Sequence, residues 1–110
     1  MLDQDPIIVF ITTATRAEAT GLADMLVEKR LAACVQILPE IHSTYLWQGK
    51  IEREPETLML VKTVRARFAQ LESEVRVLHS YQTPQIVAVP MNECSQPYLE
   101  WLIAGTRPAE

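Results

Sequence analysis

The chain is poor in glycine and cysteine, and each shortage argues against a class of function. Only three of its 110 residues are glycine, and they form none of the Gly-rich loops that bind phosphate groups. The two cysteines, Cys34 and Cys94, lie far apart and form no Cys-x-x-Cys pair. This cysteine usage is typical of a reduced, cytoplasmic protein.

Long apolar runs and basic clusters are also missing. No apolar stretch approaches the roughly 18 residues of a membrane span, and acidic residues precede the first apolar run, so neither a membrane segment nor a secretory signal is predicted. The net charge of −4 and the scattered Lys and Arg residues argue against nucleic-acid binding. With 48% hydrophobic and 22% charged residues, the sequence is typical of one globular domain over residues 1–110.

The order of the apolar patterns predicts an α+β fold of the ferredoxin-like type. Continuous apolar runs are typical of buried strands, whereas apolar residues at helical spacing predict amphipathic helices. The predicted elements are strand 7–11, helix 15–30, hairpin 32–63, helix 64–78, strand 86–89 and a short C-terminal helix 95–105. This is the βαββαβ arrangement with a long central hairpin, which turns at Gln48-Gly49-Lys50.

Two independent features predict that the chain forms a homo-oligomer. Two helices can cover only one face of a four-stranded sheet, yet the strand residues 57–61 are apolar on both faces. Leaving the second face in water would expose a large apolar patch, which is rare in monomers. The hairpin is also too long to fit inside the small domain that this chain can build, so part of it is expected to reach another subunit.

Five short segments carry a resemblance to a known family: Arg-Leu-Ala-Ala-Cys-Val at 30–35, Tyr-Leu-Trp-Gln-Gly-Lys-Ile-Glu at 45–52, Leu-Val-Lys-Thr at 60–63, His-Ser-Tyr-Gln-Thr-Pro at 79–84 and Tyr-Leu-Glu-Trp at 98–101. In this order they resemble the CutA family, the divalent-cation tolerance proteins. The resemblance implies a homotrimer of ferredoxin-like subunits that exchange their hairpins, similar in architecture to the PII signalling proteins. It also implies an association with copper or another divalent cation.

His79 and Cys34 are the predicted metal ligands. A neutral imidazole suits copper or zinc, and a thiolate selects Cu(I). Each residue also has a structural interpretation. His79 lies at the end of the second helix, where a histidine interacts favourably with the negative end of the helix dipole. Cys34 lies in an apolar run, as a buried and unreactive thiol would. Ser80 and Gln82 replace the Pro and Glu that many relatives carry in this loop, and the second change removes a carboxylate. We expect His79→Ala to weaken copper binding with little effect on trimer stability.

A second set of residues predicts either a subunit interface or a ligand pocket between subunits. Tyr45 and Trp47 share one face of the hairpin near its tip, and aromatic residues are common interface anchors. Lys62 interrupts an apolar strand and needs an anionic partner if it is buried. With Tyr81, these residues would form a pocket for a small anionic ligand, or Lys62 would pair across a subunit boundary with one of three acids, Glu52, Glu54 or Glu56.

No catalytic constellation is recognisable, so an enzyme is not predicted. Arg16 lies at the start of a predicted helix, as in an acylphosphatase-like anion loop, but the glycines of such a loop are missing. Three functions remain open: a metal-associated trimer of the CutA type, a PII-like trimer that binds a small effector between subunits, and a structural trimer that serves as an interaction scaffold.

Overall fold

The computed structural model describes residues 4–108 and has the predicted βαββαβ order followed by a third helix. Its elements are β1 (Pro6–Thr13), α1 (Arg16–Glu28), β2 (Cys34–Trp47), β3 (Lys50–Val64), α2 (Phe68–Leu78), β4 (Ile86–Pro90) and α3 (Gln96–Gly105). The four strands form one antiparallel sheet in the order β2-β3-β1-β4. This strand order is that of the ferredoxin-like fold, so the predicted fold class is confirmed.

The β2–β3 hairpin extends well beyond the rest of the sheet. Its pairing continues to Trp47 opposite Lys50, whereas β1 pairs with β3 only as far as Thr57. Gln48 and Gly49 both have positive φ, 50° and 82°, as a two-residue hairpin turn requires. The projecting half of the hairpin gives the subunit its elongated dimensions of 44 × 28 × 22 Å.

A β-bulge interrupts β2 at the base of the projection. Leu38 pairs with Leu58 and Ile41 pairs with Glu56, so that two residues of β2 lie opposite one residue of β3. The first of the two is Pro39, which cannot donate a ladder hydrogen bond and is therefore tolerated at a bulge. Its carbonyl instead accepts a bond from the Thr57 hydroxyl at 3.2 Å.

The core lies between one sheet face and the helices α1 and α2. Its fully buried members include Val9, Leu26, Met59, Val61 and Leu71. None of the helices within residues 4–108 is both long and apolar enough to cross a membrane.

The opposite sheet face is also apolar, as predicted, and we call it the open face. Its members alternate with the core residues along each strand. Those of β1 and β3 are half-buried and those of β4 are exposed: Ile8, Phe10, Leu58, Leu60, Val87 and Val89. The helix α3 packs against β3 and β1 through the buried Leu102, and the described part of one subunit leaves these six side chains partly in water.

Candidate functional site

His79 closes the end of α2 and fixes the loop that follows. Its side chain is fully buried, and Nε2 lies 2.8 Å from the carbonyl oxygen of Thr12. Nδ1 accepts the backbone N–H of Tyr81 at 3.0 Å. Because Nδ1 is an acceptor, the hydrogen-bond network assigns the ring proton to Nε2, which donates to Thr12. Both ring nitrogens of the neutral imidazole are therefore occupied by backbone partners.

The carbonyl that His79 binds lies where the sheet ends. β4 pairs with β1 only as far as Ile11, so the next residue of β1, Thr12, has no partner on β4. The imidazole takes the position that a further strand residue would hold. A buried carbonyl without a hydrogen-bond donor would destabilise the folded protein, and the bond from His79 satisfies the Thr12 carbonyl at the strand end.

Glu18 ties the same loop to the start of α1. The sequence Thr15-Arg16-Ala17-Glu18 fits a capping box, and the Glu18 N–H does donate to Thr15 Oγ1 at 3.1 Å. The Glu18 carboxylate, however, accepts from the backbone N–H of Ser80 at 2.8 Å and from its hydroxyl at 3.0 Å. A proline at position 80 could not donate the first of these bonds. The sequence departure at Ser80 therefore adds a contact between loop and helix.

Tyr81 links the loop to the hairpin. Its phenol donates to Glu56 Oε2 at 2.7 Å, and Glu56 is itself buried. Burial and the bond to this carboxylate raise the pKa of Tyr81. The ring also packs on His79 with centroids 4.9 Å apart. We call the contacts of His79, Ser80 and Tyr81 with Thr12, Glu18 and Glu56 the loop anchor.

A cleft of about 700 Å³ lies between this loop and the projecting hairpin, and we call it the hairpin cleft. Tyr45 and Trp47 line it from β2, and Tyr81 lines it from the loop. The other lining residues are Thr12, Ser43, Thr44, Glu56, Ser80, Gln82, Thr83 and Gln85. The cleft therefore brings together three of the four residues that the sequence placed in a pocket or interface.

Lys62, the fourth residue, lies elsewhere in the subunit. It pairs in register with Ile8 on one side and Cys34 on the other, and its amine donates to the side-chain oxygen of Gln36. It lies six residues from Glu56 along β3, which is about 20 Å of extended strand. Within one subunit, Lys62 therefore supplies no positive charge to the hairpin cleft.

The hairpin face that borders the cleft is instead mainly acidic. Tyr45 pairs with Glu52, Ser43 with Glu54 and Ile41 with Glu56, which places these acids on the same hairpin face as Tyr45. Burial, followed by the charges of Glu54, Glu56 and Glu52, raises the pKa of Tyr45. Glu56 is the only charged residue among the described residues that line the cleft, and Lys50 pairs with Trp47 at the tip of the same face.

The two predicted metal ligands are not brought together within one subunit. Cys34 aligns with Ile8 of β1, four residues from the Thr12 that His79 contacts, which corresponds to about 13 Å along the strand. Residues 4–108 contain no group of three or more His, Cys, Asp or Glu side chains able to hold a metal ion. The donors present in one described subunit therefore do not fit a copper site built on His79 and Cys34.

The other titratable candidates have simple surroundings. His42 is largely exposed on the hairpin and lies 3.3 Å from Glu40. Cys94 is a half-buried free thiol ahead of α3. The pKa of Tyr98 on α3 is raised by burial and by the nearby Cys34 and Cys94.

Glu18 and Ser80 are the site residues that the sequence did not indicate. The capping-box pattern assigned the Glu18 carboxylate to its own helix end, and nothing local links it to a residue 62 positions later. The one available signal was the serine at position 80, where the resemblance implied proline and where serine supplies a backbone donor.

Comparison with known proteins identifies the relatives of this chain. The family model described as "CutA1 divalent ion tolerance protein" matches residues 7–104. The divalent-cation tolerance protein CutA of Thermus thermophilus is 44% identical over 99 residues, which cover 90% of this chain and 96% of that protein. The chloroplastic CutA of Arabidopsis thaliana is 39% identical over 101 residues, 92% of this chain and 56% of that protein, so the chain spans about half of that relative.

Solved structures show the same similarity. CutA1 from Oryza sativa superposes with a TM-score of 0.92 at 34% identity, covering 96% of each chain. CutA from Archaeoglobus fulgidus, described as a periplasmic divalent cation tolerance protein, gives a TM-score of 0.90 at 39% identity, covering 93% of this chain and 99% of that one. The residues matched by the family model include the hairpin and the loop that follows α2.

Proposed function

Because the chain belongs to the CutA1 divalent ion tolerance family, we propose that it acts in the cellular response to divalent cations as a homotrimer without enzymatic activity. The observation that carries the homotrimer is the open face. Six apolar side chains on three adjacent strands are left partly in water beside a hairpin that projects beyond its own sheet. Closing such a surface against further copies of the chain removes it from water at about 25 cal/mol per Å².

The projecting hairpin supports the same assembly. Leu46 and Ile51 pair across the two strands near the tip, and both are largely exposed. A two-stranded ribbon in water is only marginally stable alone, so contacts with a neighbouring subunit would stabilise it.

The oligomeric state can be tested by light scattering and native mass spectrometry. Leu60→Arg places a charge at the centre of the open face and should convert the trimer to monomer. Val77→Arg is the matched control, because Val77 is 80% exposed on α2, away from this face, and should leave the trimer intact. A monomeric wild-type protein at micromolar concentration would contradict the proposal.

The role in metal tolerance is supported by family membership, and copper binding stays a prediction. His79 and Cys34 do not meet within one described subunit, so a copper site would need donors from two subunits of the trimer. Native mass spectrometry of the metal-free protein with Cu(I), Cu(II) and Zn²⁺ measures the uptake directly. Stoichiometric copper per trimer would support the prediction, and absence of uptake would remove copper from the proposed function. A cytoplasmic location also stays a prediction.

The hairpin cleft favours a second function, the binding of a small effector. Its volume of about 700 Å³ lies within the range of small-molecule sites. Three aromatic side chains and a buried carboxylate converge on it. Ligand binding to the folded state would raise the melting temperature by mass action, which a thermal-shift screen measures. A trimer that binds no small molecule would be left with the scaffold function.

A further inference from the structure

We propose that the hairpin cleft binds a small organic cation, an alkyl ammonium or guanidinium compound. This inference rests on the effector-binding function and names the chemistry of its ligand. The sequence had suggested an anionic ligand because Lys62 was expected in the same pocket. Within one subunit, Lys62 lies about 20 Å along the strand from Glu56. The cleft is lined by Glu56 and aromatic rings, and Glu52 and Glu54 lie on the same hairpin face beside it.

The charges of the cleft carry the first step. Glu52, Glu54 and Glu56 alternate along β3, so all three side chains lie on one face of the hairpin. Glu56 is buried and already accepts a hydrogen bond from the Tyr81 phenol, whereas Glu54 is exposed. One carboxylate is thus held in place by Tyr81, and the outer ones remain available to a ligand. A cation would relieve the mutual repulsion of the three acids.

The aromatic rings carry the second step. Tyr45 and Trp47 are two residues apart on β2, on the same face as the acids, and remain 42% and 44% exposed. Exposed aromatic faces beside carboxylates are the arrangement in which proteins hold organic cations, since the ring quadrupole attracts a cation within about 6 Å. Trp47 and Tyr45 would contact the alkyl or guanidinium part while Glu52 and Glu54 neutralise its charge.

The geometry favours an organic cation over a metal ion. Residues 4–108 contain no group of three His, Cys, Asp or Glu able to hold a metal. Successive acids on the same strand face are about 7 Å apart, which is too far for their carboxylates to share an ion at oxygen-ligand distances of 2.0–2.6 Å without rearrangement. An extended ammonium compound can span that separation.

Fluorescence of Trp47 provides the test. The chain has two tryptophans, so Trp101→Phe leaves Trp47 as the only one. The variant trimer is titrated at constant ionic strength with three four-carbon probes: 1,4-diaminobutane, 1,4-butanediol and succinate, which are cationic, neutral and anionic. We expect a saturable change with the diamine alone. Glu52→Gln together with Glu54→Gln should weaken its binding about tenfold, because each exposed carboxylate near a bound cation contributes a factor of about three.

Controls separate this proposal from the alternatives. Glu28→Gln removes the same charge from the exposed end of α1 and should leave the diamine affinity unchanged. Tyr45→Leu should weaken it several-fold while keeping an apolar side chain at this position. No response to the diamine, equal binding of the neutral diol, or an affinity that the double substitution does not change would each overturn the proposal.

Two further outcomes identify what else occupies the cleft. Binding of succinate without the diamine would overturn the cation while leaving effector binding intact. Diamine binding that develops only in Lys62→Met would show that a lysine of a neighbouring subunit fills the cleft, and would also overturn the proposal. Failure of all three probes to bind, in a protein that remains trimeric, would count against effector binding in this cleft without touching the homotrimer.

Discussion

Replacing His79 by alanine tests whether this residue serves as a structural anchor or as a metal ligand. The sequence alone suggested that His79→Ala would weaken copper binding and leave stability nearly unchanged. The structure changes the second expectation, because the imidazole is fully buried and both of its nitrogens bind backbone groups. The substitution would leave the carbonyl of Thr12 and the N–H of Tyr81 without partners.

The expected loss follows from these two groups. Each buried polar group left unpaired costs about 1–3 kcal/mol, and water that enters the space of the ring would recover part of that cost. The lost packing on Tyr81 adds to it. We therefore expect His79→Ala to lower the free energy of unfolding by about 2–4 kcal/mol, within the upper range of single substitutions. For a domain of this size that corresponds to a melting temperature lower by roughly 10–20 °C.

Urea denaturation at a fixed protein concentration measures the effect, since the stability of an oligomer depends on concentration. His42→Ala is the matched control, because the only other histidine of the chain is 79% exposed at its side chain and should cost less than about 0.5 kcal/mol. His79→Asn should fall between the two, because the asparagine oxygen can still accept the N–H of Tyr81. A loss below about 1 kcal/mol for His79→Ala would refute the anchor.

Three further predictions concern other parts of the subunit. The buried hydroxyl of Thr63 has no hydrogen-bond partner among the described residues, so Thr63→Val should raise stability by about 1 kcal/mol in the same assay. Gly21→Ala should stabilise α1 by about 0.5–1 kcal/mol, because nothing lies within 4 Å of the added Cβ. Gly49→Ala should instead destabilise the hairpin turn by about 1 kcal/mol, because φ at Gly49 is +82°. Glu54→Gln should lower the raised pKa of Tyr45, since removing a negative neighbour makes the phenolate easier to form; tyrosinate absorbance measures the shift, and an unchanged titration would contradict the acidic cleft.

The sequence predicted the fold well where the hydrophobic periodicity of a segment and its length indicate the same element. The two-sided apolar strands and the hairpin turn follow from local chemistry, and the structure contains both. The start of α2 was placed too early. Val64 still pairs with Pro6 in the sheet and a 3₁₀ turn precedes the helix, because long-range pairing holds Val64 in an extended conformation although its spacing fits the helix.

The candidate site was predictable only in part. Tyr45 and Trp47 share a face because they are two residues apart on a strand, which the sequence alone implies. The spacing of residues along an extended strand also separates Lys62 from Tyr45 and Trp47 within one subunit, although all three lie on the same side of the sheet. The bonds between Glu18 and Ser80 could not be predicted, because they join segments that only the completed fold brings together.

The loop anchor explains how this chain keeps its cleft despite the changes in its loop. Proline would fix the backbone of position 80 through its ring, whereas here Ser80 is held by two bonds to Glu18. At position 82 a neutral amide lines the cleft. The shape of the loop therefore depends on contacts with α1 and β1, while its ligand chemistry depends on side chains that face the cleft. Substitutions at Glu18 should consequently affect every ligand of the cleft, and substitutions at Glu52 or Glu54 should affect cations alone.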